Sequence, residues 1–159
     1  MNSKTKTLTY GAVIAALYVA LTMLSNLFGL ANGAVQLRLS EALTILPAFT
    51  ASAIPGLSVG CLLSNLLTGC APWDVVFGTV ATLIGAIGTR FIGRNNKFLA
   101  AIPPILSNAI IIPFVLQMVY GVEDGFWYLF ATVGLGEILS CGVLGCILYS
   151  VLKKRNPFS

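Results

Sequence analysis

The chain has 159 residues, of which 57% are hydrophobic and only 9% charged, and its mean hydropathy is +0.93. Soluble domains carry about 25% charged residues, so a water-soluble globule is excluded and lipid is the natural solvent. The net charge of +4 does not point to nucleic acid, because the basic residues sit at the ends of apolar runs, where they set orientation in a membrane.

A spanning helix takes about 20 apolar residues, so this length allows roughly six spans in a single transmembrane domain over 1–159. Lys4 and Lys6 precede an apolar run that predicts a first helix over 8–28. The run exceeds the roughly 7–15 residues of a signal-peptide core. It is therefore read as an uncleaved span, although Ala31-Asn32-Gly33 behind it resembles a cleavage site. A loop rich in Gly and Asn leads to a second helix over 40–53. Ile54-Pro55-Gly56 breaks it, and Pro55 is suited to open a third helix over 55–68. Thr68 to Pro72 form a tight connection to a fourth helix over 73–92. A polar loop with Arg90, Arg94, Asn95, Asn96 and Lys97 precedes a fifth helix over 98–120, in which Pro113 is expected to produce a kink. After the turn at 121–125, a sixth helix runs over 126–152 and ends in Lys153, Lys154 and Arg155.

Six spans place Lys4, Lys6, Arg90, Arg94, Lys97, Lys153, Lys154 and Arg155 on one side together with both termini. Arg38, Glu123 and Asp124 fall on the other. The positive-inside rule makes the first side cytoplasmic. The expected fold is thus an all-α integral membrane protein, a bundle of six transmembrane helices in a bacterial-type plasma membrane.

Chemistry is narrowed by what is missing. Cys61, Cys70, Cys141 and Cys146 form no CxxC pair and the chain contains no histidine, so the usual zinc sites are excluded. No metal or cofactor is expected, and the cysteines read as small apolar packing residues. No GxxxxGKS/T phosphate loop occurs, so the chain does not hydrolyse ATP by itself. A membrane enzyme usually needs a histidine, a metal cluster or a nucleophile–base pair, and the absence of histidine and of any paired-carboxylate motif argues against one.

Ionisable and amide residues within spans face an interior or a water-filled cavity. Glu137 lies about eleven residues into the sixth helix, in Gly134-Leu135-Gly136-Glu137, whose glycines admit a neighbouring backbone or a ligand. No basic residue sits at comparable depth, which favours ligand binding over a structural carboxyl. Asp74 opens the fourth helix, either as an N-cap or as a ligand contact. Trp73 beside it is an interfacial tryptophan or the wall of a ring pocket. Gln36, Arg38, Ser40 and Glu41 form a polar cluster at the entry of the second helix. Arg38 and Glu41 are either an ion pair or part of a site lining. Asn65 and Asn108 are amides at membrane depth, for hydrogen bonds between helices or to a ligand. Gln117 and Tyr120 lie near the outer end of the fifth helix, and Trp127 near the start of the sixth. Glu41, Asp74 and Glu137 outnumber Arg38, so such a pocket suits a ligand with donors or a positive charge, not a phosphorylated one. In the first helix Gly11, Ala12, Ala15, Ala16 and Ala20 supply small-xxx-small spacings for close helix contact.

The runs GAVIAALYVAL (11–21), QLRLSEAL (36–43), AIPG (53–56), SNLL (64–67), WDVVFG (73–78) and GLGE (134–137) resemble the QueT family, in order and over nearly the whole chain. QueT proteins are substrate-binding S components of energy-coupling-factor (ECF) transporters, which import precursors of the tRNA base queuosine. The resemblance implies a six-helix bundle with its site near the outer face, a transmembrane coupling subunit and two cytoplasmic ATPases as partners. It also implies docking on the coupling subunit by Gly11, Ala12, Ala15, Ala16 and Ala20, and a bundle that topples in the membrane during transport. The ligand is then a 7-deazaguanine, in nitrile, aminomethyl or free-base form. Its N–H edge would meet Glu137 or Glu41, a cationic aminomethyl group would meet Asp74, and Trp73 or Trp127 would stack on the ring. Arg38, Asn65 and Asn108 complete the expected site. An S component for another vitamin-like compound is the nearest alternative, and a secondary transporter using Glu137 as proton site is the more distant one.

Overall fold

The structure, a computed structural model, describes residues 2–30 and 35–155; Ala31-Asn32-Gly33 lie outside the described residues. Six helices make up the described chain, with no strand: α1 (Ser3–Leu27), α2 (Leu39–Ala48), α3 (Ala53–Leu67), α4 (Pro72–Ile92), α5 (Lys97–Tyr120) and α6 (Phe126–Arg155). Four of them, α1, α4, α5 and α6, are long and apolar enough to cross a membrane. Leucine, isoleucine, valine and phenylalanine side chains stand exposed along their outer faces, as lipid contact requires and water would forbid. The chain is a multi-pass membrane protein.

The second helix differs from its expected form. Instead of an α-helix over 40–53, Leu39–Ala48 is a 3₁₀ helix that stops at Ala48, and a short turn leads into α3 at Ala53. Pro47 has no N–H to continue an α-helical ladder, while Pro55 falls in the first turn of α3, where a missing N–H costs nothing. Residues 40, 41 and 43–48 are all buried, and α2 packs against all five other helices. A helix buried all round is a core element, so α2 is the central post of the bundle. Around it, packed neighbours follow in the order α1, α3, α4, α5, α6.

Small residues set the spacing of this ring. A Cβ on Gly56 would lie 2.7 Å from the Gly11 carbonyl oxygen, and one on Gly60 would lie 2.8 Å from the Tyr18 Cβ, so α3 presses its glycines into α1. Likewise Gly85 and Gly88 of α4 receive Pro104 and Pro103 of α5. α3 ends at Gly69 with φ +73°, where Cys70 N–H donates to Asn65 O and Gly69 N–H to Leu66 O. Such a cap demands the left-handed backbone that glycine tolerates.

α6 is a 30-residue helix whose middle, Ile138–Gly145, is wound as a π-helix beginning directly after Glu137. The widened turn packs against α2, where Thr44 Oγ1 and Cys141 Sγ are 3.1 Å apart and a Cβ on Gly145 would be 3.1 Å from Ile45 Cγ2. At the basic end of the bundle Arg90 Nη1 donates to Pro47 O and Tyr149 Oη to Arg94 O. These bonds gather the ends of α2, α4 and α6 around the polar 90–97 loop.

Candidate functional site

The opposite end of the bundle is hollow. A recess of about 680 Å³ opens there between α1, the 36–38 segment, α3, α4 and α5, lined by Thr22, Asn26, Arg38, Asn65, Asp74 and Tyr120 among others. Beneath it lies a small pocket of about 20 Å³, lined by Arg38, Glu41, Cys61, Thr82, Asn108 and Glu137 among others. Gln36, Arg38 and Ile112 line both, so the two adjoin at this end of the bundle.

Each wall has a local cause. Residues 36–38 are not helical, with Arg38 extended, and they run against α6 because Gly136 has no side chain: a Cβ there would lie 2.1 Å from Gln36 O. Non-helical backbone at membrane depth is tolerated only where protein or a cavity receives it, and here both do. Glu41 stands in the first turn of α2, and one of its oxygens accepts a hydrogen bond from the Tyr18 hydroxyl of α1. Thr22 Oγ1 and Ser40 Oγ bond one turn away at 2.9 Å, and Leu39 N–H donates to Ser25 Oγ at 2.9 Å. Tyr18, Thr22 and Ser25 thus form a polar seam of α1 facing the 39–41 segment.

Asp74 does not cap α4. Ala71 occupies the cap position without a side-chain bond and Pro72 is the first helical residue, which sets Asp74 inside the first turn. There its Oδ2 accepts from Tyr120 Oη at 2.8 Å, while Tyr120 Oη accepts from Ala71 N–H at 3.1 Å. The end of α5 is thereby tied to the start of α4 beside the recess. Gly78, one turn further along α4, leaves room for Asn65, whose Nδ2 lies 2.9 Å from where a Cβ would be.

The deep pocket has an unusual hydrogen-bond balance. Glu41, Asn108 and Glu137 are 2%, 4% and 8% exposed, Glu41 Oε2 and Glu137 Oε2 are buried without a partner, and the Asn108 side chain stands beside the Glu137 carboxylate. Unsatisfied buried polar groups are rare in folded proteins and each costs about 1–3 kcal/mol, more when charged. Arg38 lies within electrostatic range of Glu41 and Asp74 and is half-buried at the junction of the two pockets.

Arg38, Glu41, Asn65, Asp74, Asn108 and Glu137 are therefore brought together, whereas the two tryptophans are not. Trp73 is 63% exposed and stacks on Phe77, and Trp127 is 77% exposed against Phe126 and Phe130. Neither lines either pocket, so neither is placed to stack on a ring held there. Trp73 precedes Asp74 by one residue, about 100° around the helix, which turns it outward when Asp74 points in. The small residues of α1 also divide. Gly11 and Ala15 pack on Gly56 and Gly60 inside the bundle, while Ala12, Ala16 and Ala20 are exposed. Tyr18, Thr22, Cys61 and Thr82 were not singled out by sequence. The recurrence of Tyr18, Thr22 and Ser25 at i, i+4 and i+7 was the available signal for a polar helix face.

The described chain is thus a membrane-spanning helical bundle with a recess of small-solute size at one end. A family model described as QueT transporter matches residues 8–154. The Queuosine precursor transporter QueT of Lactococcus lactis subsp. cremoris (strain MG1363) is 31% identical over 172 residues, covering 99% of this chain and 98% of that relative. No solved structure matches. The chain belongs to the QueT transporter family.

Proposed function

We propose that this chain is the substrate-binding S component of an energy-coupling-factor transporter, and that its recess takes up a 7-deazaguanine precursor of queuosine. The reading is carried by the unpartnered Glu41 Oε2 and Glu137 Oε2 in the deep pocket. Two carboxylate acceptors, held where water is scarce, complement the N–H donors of a guanine-like edge. The deep pocket holds about one water, so the ring lodges in the outer recess and presents only that edge to the carboxylates. Arg38 meets the ligand carbonyl on the way in. Asp74, beside the recess mouth, takes the cationic aminomethyl group of that form of the precursor.

The basic ends of α4, α5 and α6 face the cytoplasm by the positive-inside rule, with both termini, and the recess opens outward. The chain carries no phosphate loop, and ATP is hydrolysed by two cytoplasmic partners through a transmembrane coupling subunit. The exposed Ala12, Ala16 and Ala20 stripe is the surface for that subunit, since small residues allow close helix approach without large area.

Calorimetry on the purified chain with nitrile, aminomethyl and free-base 7-deazaguanines, and with common vitamins, tests the reading. Tight binding of one deazaguanine, lost in Glu137→Gln, is the expected result. Binding of an unrelated vitamin would move the ligand assignment, and uptake that persists in cells lacking any partner ATPase would remove the S-component role.

A further inference from the structure

Glu41 has two neighbours that compete for it. Arg38 stands three residues earlier in the chain and within electrostatic range, and an arginine–carboxylate pair is the strong bidentate form of such a contact. Tyr18 stands on α1, is 1% exposed, and donates its hydroxyl to Glu41 Oε1. It reaches that position because Gly60 lets α1 approach α3: a Cβ on Gly60 would lie 2.8 Å from Tyr18 Cβ and 3.1 Å from Ala15 Cα. One turn on, Thr22 Oγ1 donates to the Tyr18 carbonyl oxygen at 2.9 Å and meets Ser40 Oγ at 2.9 Å. The helix that carries Tyr18 is thus tied to the segment that carries Glu41.

We infer that Tyr18 is a positioning residue for ligand binding: by holding Glu41 Oε1 it keeps Oε2 facing the pocket and keeps Glu41 from closing onto Arg38. The consequence is double. One carboxylate oxygen stays available for a ligand N–H, and the Arg38 guanidinium stays available for a ligand carbonyl. Glutamate has three side-chain torsions, and fixing them before the ligand arrives removes an ordering cost from binding. Without the phenol oxygen both Glu41 oxygens lack a partner, and the nearest cure is the ion pair with Arg38, which withdraws both groups from the ligand at once.

The inference rests on the S-component reading, and its test separates the two. Calorimetry is run on the full chain in detergent with 7-aminomethyl-7-deazaguanine and its nitrile counterpart. Tyr18→Phe keeps the ring and the Cβ that approaches Gly60 and removes one oxygen, and it is expected to weaken binding by roughly 10- to 100-fold. In a Glu41→Gln background the same change should add less than about twofold, since a positioning residue has nothing left to position. Tyr149→Phe removes the buried hydroxyl that donates to Arg94 O at the opposite, basic end of the bundle, and it should lower the melting temperature while leaving affinity within about twofold. Unchanged affinity in Tyr18→Phe, an equal loss in the Glu41→Gln background, or an equal loss in Tyr149→Phe overturns the inference alone. Failure of the unmodified chain to bind either compound overturns it together with the functional reading.

Discussion

The carbonyl oxygen of Gln36 rests on the bare α-carbon of Gly136, with only 2.1 Å between that oxygen and the place a Cβ would take. A non-helical segment is thereby wedged against α6 one residue before Glu137, and Arg38, two residues on, lines both pockets.

Gly136→Ala should therefore cost both fold and function. The obstacle is backbone, which cannot swing aside as a side-chain tip does, and overpacking of this kind costs about 1–3 kcal/mol or more. A clear fall in melting temperature in detergent, with loss of ligand binding, is expected. Gly134→Ala is the control, because its Cβ would meet only Ala109 Cβ at 3.8 Å, and it should behave as the unmodified chain does.

The two faces of α1 should respond oppositely to bulk. Gly60→Leu drives a side chain into Ala15 and Tyr18, so it should abolish folding or ligand binding in the isolated chain. Ala16→Leu lies on the exposed face and should leave melting and ligand affinity unchanged while abolishing uptake in cells. Retained uptake would show that the coupling partner docks elsewhere.

Tyr120→Phe removes the hydroxyl that bridges Asp74 and Ala71 N–H. Loss of a half-exposed bridge of this kind is expected to lower stability by about 1 kcal/mol. Because Asp74 keeps both oxygens, affinity for the aminomethyl ligand should fall far less than in Asp74→Asn. An equal fall in the two variants, measured by calorimetry, would make the bridge itself the ligand contact.

Cys70 lines the recess and is half-buried, whereas Cys61, Cys141 and Cys146 are buried. A membrane-impermeant maleimide should label the folded chain at Cys70 alone, and bound ligand should slow the labelling severalfold. Fast labelling of a second cysteine, counted by intact mass, would contradict this packing.

Much of the bundle was legible because hydropathy reports directly on lipid contact: the long α4, α5 and α6 follow from apolar runs punctuated by Pro72, the 90–97 cations and the 121–125 turn. Glu137, Glu41 and Asp74 stood out for the same reason, as charges where charge is expensive. What stayed hidden depended on the helix type and on third dimensions. Nothing in Leu39–Ala48 distinguishes a 3₁₀ from an α winding except Pro47, and the π winding after Glu137 has no compositional mark. Tyr18 is an aromatic in an apolar run and reads as core until its hydroxyl is seen against Glu41. Trp73 was open in the sequence between an interfacial position and the wall of a ring pocket, and only the structure shows it and Trp127 exposed on outer faces, away from both pockets.

The 3₁₀ winding of α2 gives the protein an unforgiving gauge. At about three residues per turn and 2.0 Å rise, Glu41, Thr44 and Pro47 stack along one edge, and all three are buried. Adding or deleting a single residue in Leu39–Ala48 would turn everything beyond it by about 120° and slide it along the axis. Every other helix would meet the wrong side chain, since all five lean on this one. Length variation in natural or engineered versions of this chain should therefore fall in the 28–35 and 121–125 connections, and the ten residues of the central post should admit substitutions but no insertions.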